Sequence, residues 1–314
     1  MSQSHSASQG FESQRLWAVV GATGTGKTSL SIDLAERLAG EGRVAEIVNA
    51  DAMQFYRGMN IGTAKLAPEA QRGIAHHLFE ALEVTEEATV AWYQPAARAL
   101  IEEIHGRGHD AILIGGSGLY VSSVLFDFQF PPRDEALRTE LEAELERGGV
   151  APLLARLREA DPKTAEAVDA RNPRRVVRAL EVALLGADGQ VTLPQAPKLW
   201  HADTRIIGVG CERVALVERL DARVERMWSD GLLGEVRGLQ PQGLERGKTA
   251  SRAIGYQQAL AQLRGEMTER QAIEETQALT RRYARRQVSW FKRYQDVQWL
   301  DSTTGAPDVL RVTV

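Results

Sequence analysis

The segment Gly21-Ala22-Thr23-Gly24-Thr25-Gly26-Lys27-Thr28 constrains this chain more than any other. An apolar run, residues 16–20, leads into it, and an amphipathic run, residues 29–38, follows it. Strand, glycine-rich loop and helix, in that order, form the setting in which a G-x-x-x-x-G-K-[ST] loop holds phosphate. Glycines let backbone N–H groups curl around phosphate oxygens without Cβ clashes. The helix N-terminus adds partial positive charge. Lys27 supplies a full charge, and Thr28 offers a hydroxyl to Mg²⁺. A glycine turn that binds nothing is the plain alternative, and the flanking strand and helix argue against it. The loop reads as a phosphate or diphosphate site, with the owner of the phosphate still open.

Bulk properties narrow the field. A chain of 314 residues is enough for one large domain or two modest ones. Hydrophobic content of 43% and charged content of 25% suit a soluble globular protein. No apolar run reaches the length of a membrane span. Residues 1–14 are rich in Ser and Gln, lack the apolar core of a signal peptide and read as a disordered tail. The single cysteine, Cys211, excludes an internal disulfide and a Cys-based metal cluster, and the expected location is cytoplasmic. A net charge of −4 excludes a general polycation, so any nucleic-acid contact must come from local basic patches.

Residues 44–48 read as a second strand that delivers Asn49-Ala50-Asp51-Ala52-Met53-Gln54. A carboxylate just past a strand end, in a sheet whose first loop binds phosphate, lies near the ligand crevice. Asp51 is therefore a candidate functional residue, with a turn-capping role as the alternative. Residues 58–65 read as a loop with two glycines. His76 and His77 are adjacent, so they point apart, and no third ligand is spaced to match a metal; ordinary packing or hydrogen bonding is the preferred reading. A helix spans about 92–107. Residues 111–114 form a buried-strand pattern that runs into Gly115-Gly116-Ser117-Gly118-Leu119-Tyr120. Many phosphate-loop NTPases place an Mg²⁺-ordering Asp at such a strand end. Here that position is glycine, and Asp110 lies at the wrong end. Ser117 can place a hydroxyl in the crevice, serve as a helix N-cap, or do both.

From about residue 131 to 197 no strand pattern is visible, and the segment reads as a helical insertion between sheet strands with Pro/Gly-rich ends. Asn172 and Pro173 predict a helix start. That helix carries Arg174, Arg175 and Arg178, which suit either RNA phosphates or a solvated face. Strand character returns at residues 205–210. A helix over 213–227 carries Arg219 and Arg223, and residues 230–239 continue helically. The last long helix, about 268–294, ends with Arg281, Arg282, Arg285, Arg286, Lys292 and Arg293 interleaved with Tyr283, Trp290, Phe291 and Tyr294. Like charges four apart repel by a few tenths of a kcal/mol per pair. The helix macrodipole accounts for two or three such charges, so an RNA-facing helix is the preferred reading.

Taken together, GATGTGKT (21–28), NADAMQFY (49–56), GMNIGTAK (58–65), GGSGLY (115–120), NPRRVVRALE (172–181), SRAIGYQ (251–257) and RRQVSWFK (285–292) resemble, in order, the motifs of the tRNA dimethylallyltransferases, which prenylate adenine 37 beside the anticodon. Gly-Gly-Ser stands where many relatives have Gly-Gly-Thr, which keeps the hydroxyl. The resemblance covers nearly the whole chain after about Leu16. It implies an α/β fold with a P-loop NTPase-like parallel sheet flanked by helices and an all-helical insertion domain. The core would comprise 15–130 and 198–314, and the insertion 131–197.

The resemblance also implies site roles. The loop of Gly21, Ala22, Thr23, Gly24, Thr25, Gly26, Lys27 and Thr28 would grip dimethylallyl diphosphate, with Lys27 and Arg223 on its oxygens and Mg²⁺ at Thr28. Asp51 would take the proton from the adenine amine, and Ser117 would support the reacting centre from the opposite side. Asp51, Ala52, Met53, Gln54, Arg174, Arg175, Arg178, Arg252, Gly255, Tyr256, Gln257, Arg285, Arg286, Gln287, Trp290 and Lys292 would contact the tRNA anticodon stem-loop. The expected partners are tRNA and dimethylallyl diphosphate, with no membrane, and the expected state is a monomer. Two rivals use the same loop: a small-molecule or nucleotide kinase, with the insertion as its lid, and a nucleotide-gated RNA-binding protein without chemistry.

Overall fold

The computed structural model describes residues 14–127, 130–186 and 198–313. All of the expected disordered tail except Gln14 lies outside the described residues. Two compact units are seen, one drawn from the described residues of Met1–Phe126 and Leu199–Val314, the other from those of Asp127–Lys198.

The first unit is built on a parallel sheet. Its strands are β1 (Leu16–Gly21), β2 (Ala45–Asn49), β3 (His76–His77), β4 (Asp110–Gly115), β5 (Thr204–Gly210) and β6 (Val297–Asp301), in the order β3-β2-β4-β1-β5-β6. Every residue of β1 is buried, as a continuous apolar run between two parallel neighbours should be. The crossover helices are α1 (Lys27–Gly40), α2 (Val90–Gly106) and α3 (Gly118–Leu125). Leu30, Leu34 and Leu38 of α1 pack on Trp17, Val19, Ile47 and Ile112 of the sheet. Each such fully buried side chain contributes about 1.5–3 kcal/mol of transfer free energy.

The register sets the site. Val20 pairs with Gly115, Gly21 with Val209, and Asn49 with Ile114. The loops after β1, β2 and β4 thus leave one sheet edge side by side, where chain direction diverges to either side of β1. Asp110 starts β4 at the opposite edge, as expected. It is tied there by Arg43 at 2.7 Å and the Trp17 indole N–H at 3.1 Å.

The second unit contains α4 (Glu135–Gly148), α5 (Val150–Ala160), α6 (Pro162–Ala167) and α7 (Pro173–Leu184). Its core is Leu141, Leu153, Leu157, Val176, Val177 and Leu180. Asn172 caps α7 through the Arg175 N–H, with Pro173 in the first turn.

The chain then returns to the first unit with β5, α8 (Arg213–Ser229), α9 (Leu232–Leu239), α10 (Tyr256–Leu263), α11 (Glu269–Phe291) and β6. One expectation needs correction, and one strand is not anticipated. The helix over 230–239 does not continue α8, because Gly231 adopts φ 102° and restarts the chain as α9. Strand β6 carries no strand signal strong enough to read from sequence: it is an edge strand whose one buried residue is Leu300.

Candidate active site

The phosphate loop takes the backbone shape its sequence calls for. Gly24 and Gly26 adopt φ 80° and 89°, and α1 begins at Lys27 with no side chain capping its first turn. Its first N–H groups therefore have no side-chain cap, the condition in which a helix start takes an anion. Lys27, Thr28 and Arg223 line a cavity of about 200 Å³ together with Thr23, Gly24, Gly26, Asn49, Asp51, Gln54, Gly115 and Gly116. The lining continues into apolar wall from Ile47, Leu66, Phe79 and Ile114. The lining thus combines cationic and apolar side chains.

The cations are held short of full satisfaction. Lys27 Nζ donates to Ala22 O at 2.7 Å. Burial draws its ammonium down to about 8; the nearby Asp51 charge opposes that shift and Arg223 adds to it. Arg223 comes from α8 and donates to Thr23 Oγ1 at 2.7 Å and Thr63 O at 3.2 Å. Its Nε is buried without a partner among the described residues. Burial also lowers its pKa, against the pull of Asp51. Two cations with one carboxylate between them make a site with positive charge to spare.

Asp51 lies just past β2, half-buried, with its N–H donated to Asn49 Oδ1 at 2.9 Å. Its Oδ1 accepts the Met53 N–H at 3.0 Å. The turn-capping role is therefore present, and the other carboxylate oxygen accepts no hydrogen bond among the described residues. Ser117 does not cap α3. Its hydroxyl instead accepts the Ala52 N–H at 3.4 Å and faces the Tyr283 hydroxyl at 3.4 Å. Tyr283 is pushed up to about 12, by burial first and then by the Asp51 charge. The glycine at the end of β4 also has a steric reason. A Cβ on Gly115 would come within 2.6 Å of Ala50 O, so no Asp fits there.

The structure sorts the other candidates. Gln54 lines the cavity and donates to Thr63 O at 3.1 Å. Met53 is half-buried, and Arg175, Arg252, Gln257, Arg285, Arg286 and Lys292 are exposed. Several expected RNA contacts are not presented to a partner. Ala52 is 7% exposed, so only its backbone works, toward Ser117. Gly255 is buried at the start of α10. Tyr256 is fully buried, and its hydroxyl bonds Glu235, which also accepts the N–H groups of Asn60 at 3.0 Å and Ile61 at 2.7 Å. It braces the 58–65 loop rather than RNA. Arg178 turns inward onto the buried Glu181 at 2.8 Å and the Pro131 and Pro132 carbonyls. Trp290 donates to Ser122 Oγ at 3.0 Å and lies so close to Gly118 that a Cβ there would be 2.4 Å away. Gln287 is 4% exposed and bonds both glycine-rich loops. In the basic run, Arg281 is spent on Asp221 at 2.6 Å.

Sequence reasoning assigns no individual site role to Asn49, Thr63, Tyr283 or His76. Asn49 and Thr63 sit inside motifs that draw attention for other residues. His76 bonds Ile74 O at 2.8 Å and His77 bonds Glu46 at 2.6 Å, the ordinary role expected, yet His76 also lines the cavity. Its place follows from β3 pairing beside β2, which adjacency in sequence does not reveal.

Among the described residues, no group of three or more His, Cys, Asp or Glu could hold a metal alone. Thr28, exposed in the first turn of α1 and lining the cavity, fits an Mg²⁺ ion that takes its remaining ligands from phosphate oxygens and water.

The chain is similar to known proteins along most of its length. The family model described as IPP transferase matches residues 54–294. A tRNA dimethylallyltransferase of Clavibacter sepedonicus is 58% identical over 285 residues, covering 91% of this chain and 92% of that protein. The chain belongs to the tRNA dimethylallyltransferase family. Another such protein, from Thermobifida fusca, is 50% identical over 93% of this chain and 91% of its own length. The solved tRNA isopentenylpyrophosphate transferase of Bacillus halodurans aligns with TM-score 0.66 and 38% identity, over 93% of this chain and 91% of that one. A eukaryotic dimethylallyltransferase captured acting on tRNA aligns with TM-score 0.77 and 27% identity, over 93% of this chain and 75% of that one. Among the described residues, no helix is long and apolar enough to cross a membrane.

Proposed function

We propose that this enzyme transfers the dimethylallyl group of dimethylallyl diphosphate to N6 of adenine 37 in the tRNA anticodon loop, releasing diphosphate. One observation carries the reading: a single cavity joins a cationic phosphate cradle, a carboxylate with one uncommitted oxygen, and an apolar wall. The donor's diphosphate suits the loop N–H groups, Lys27 and Arg223, and its five-carbon tail suits Ile47, Leu66, Phe79 and Ile114. As the adenine amine attacks the allylic carbon, a C–N bond forms and the C–O bond breaks. The electron pair leaves with the diphosphate, and the amine proton passes to Asp51.

An exocyclic amine is a weak nucleophile, so a base in hydrogen-bond reach is worth about 10²–10⁴-fold. Lys27 and Arg223 meet the charge that grows on the leaving oxygens. Mg²⁺, held by Thr28 and the diphosphate, would add to that charge stabilisation. A loop adenine can be unstacked at a cost of a few kcal/mol. The tRNA side draws on exposed cations: Arg213, Arg282, Arg285 and Lys292 rim a groove of about 960 Å³ between α8 and α11.

The test is transfer of label from radiolabelled dimethylallyl diphosphate to tRNA by the purified enzyme. Label in N6-dimethylallyladenosine at position 37 supports the reading. Conversion of ATP to ADP with the γ-phosphoryl group passed to an acceptor, and no label in tRNA, overturns it in favour of a kinase.

A further inference from the structure

Helix α11 presents two unlike faces. Arg282, Arg285 and Arg286 are exposed, whereas Tyr283, Gln287 and Trp290, spaced by four and three residues, meet the second glycine-rich loop. Gln287 goes further and bonds both loops. Its Oε1 accepts the Thr23 N–H of the phosphate loop at 2.9 Å, and its Nε2 donates to Gly116 O at 2.8 Å. Only this orientation of the amide satisfies both partners, because the reverse would set donor against donor and acceptor against acceptor. A Cβ on Gly116 would fall 2.4 Å from Nε2, so that glycine is what admits the amide. Thr23 is in turn the residue whose hydroxyl receives Arg223 at 2.7 Å. The carboxamide therefore stands between the loop that cradles phosphate and the loop that carries Ser117.

We infer that Gln287 is a positioning residue for group transfer: its carboxamide sets the spacing between the two loops, and it takes no direct part in RNA binding. The inference rests on the proposed reaction, in which one loop holds the leaving diphosphate and the other lies beside the acceptor amine. Spacing matters because attack requires the reacting atoms about 3–3.5 Å apart, and a misplacement of about 1 Å costs on the order of 10²-fold. Glutamine supplies an acceptor and a donor at the same reach. An ionised glutamate keeps the acceptor for Thr23 but turns a lone pair on Gly116 O. A protonated glutamate donates there, and the original pattern returns.

The experiment compares wild type, Gln287→Leu and Gln287→Glu in full-length enzyme with tRNA and dimethylallyl diphosphate. It reads kcat, tRNA affinity and thermal midpoint at about pH 6 and about pH 8, the range over which a buried carboxyl can change charge. Gln287→Leu should lower kcat by about 10–100-fold at both pH values and leave tRNA affinity within about twofold. Gln287→Glu should be as slow as Gln287→Leu at the higher pH. Relative to wild type it should recover about tenfold or more at the lower pH. A loss of tRNA affinity with kcat retained would make Gln287 an RNA contact and overturn the inference. So would wild-type kcat in Gln287→Leu, or no recovery of Gln287→Glu at low pH. If Gln287→Leu fails to fold, the pH recovery within one Gln287→Glu preparation decides alone. Wild type that transfers nothing overturns the reaction itself and this role with it, whereas wild-type transfer with unaffected variants overturns this role only.

Discussion

Glu181 of α7 is fully buried and meets Arg178 at 2.8 Å, Arg138 at 3.1 Å and the Asp134 N–H at 3.1 Å. Lys27 and Arg223 are half-buried, yet Lys27 rests on a backbone carbonyl, Arg223 keeps a bare buried Nε, and one carboxylate serves both. Both clusters mix basic side chains with a carboxylate in a desolvated place. The first closes on itself: each oxygen of its carboxylate has a donor, so nothing further is required of a ligand. The second carries surplus positive charge whose burial costs stability unless an anion arrives. A satisfied cluster holds a unit together, and an unsatisfied one in a cavity marks a binding site.

The sharpest way to break this contrast is Asp51→Asn. Asparagine caps the turn at Met53 nearly as well as aspartate, so fold and substrate affinities should persist. Turnover should fall by about 100-fold or more, because the uncommitted oxygen is replaced by a group that takes no proton. Turnover and tRNA affinity measured on one preparation decide it; retained turnover would leave Asp51 with its capping role only. Glu181→Ala probes the other cluster. Removing one partner of a buried pair strands the rest, at about 3–5 kcal/mol. Denaturant unfolding should show that loss, and an unchanged midpoint would mean the cluster is not closed as described.

The pH response tells the two clusters apart more finely. Lys27 is drawn from 10.5 to about 8, so the folded state binds fewer protons than the unfolded chain between those values. Stability contributed by this group therefore rises with pH across that window, and the cost of holding its charge is fully present below about 8. Lys27→Met should accordingly be more stable than wild type at neutral pH while binding donor poorly. Donor affinity in wild type should decline above about pH 8 by up to one log unit per pH unit, a trend absent in Lys27→Met. Calorimetric titration of the diphosphate donor across pH checks the affinity trend, and denaturant unfolding of both proteins at neutral pH checks the stability. The smallest effect concerns the exposed cations of α11. Arg282→Ala with Arg286→Ala should lower the slope of log tRNA affinity against log salt by roughly 0.7–0.9 for each phosphate that is no longer neutralised. Donor affinity should be unchanged, and an unaltered slope would return these arginines to a solvated face.

Much of the molecule is legible in the sequence. A glycine-rich loop between an apolar strand and an amphipathic helix has few ways to fold, and Asn172-Pro173 starts a helix for purely local reasons. The switch of character after residue 130 shows as the loss of strand pattern. Asp51 follows from its position past a strand, since side-chain placement along a strand is local geometry. The side chains that the fold engages internally share a different cause. Gln287 and Tyr256 lie in motifs that attract attention as binding sequences, yet both are buried, while the half-buried Trp290 and Arg178 spend hydrogen bonds within the fold.

Local pattern by itself determined the strand–loop–helix, the backbone shape of its glycine-rich loop and the positions of the helix starts, because those depend on neighbours within a few residues. Tertiary structure alone decided which polar side chains face one another. Gln287 and Thr23 are 264 positions apart, and Arg223 and Thr23 are 200 apart. A helix offers all of its faces in sequence, and only packing chooses which face is buried. The same RRQ run therefore places two arginines in solvent and the adjoining glutamine between two loops, a distinction set by where α11 lies against the sheet edge.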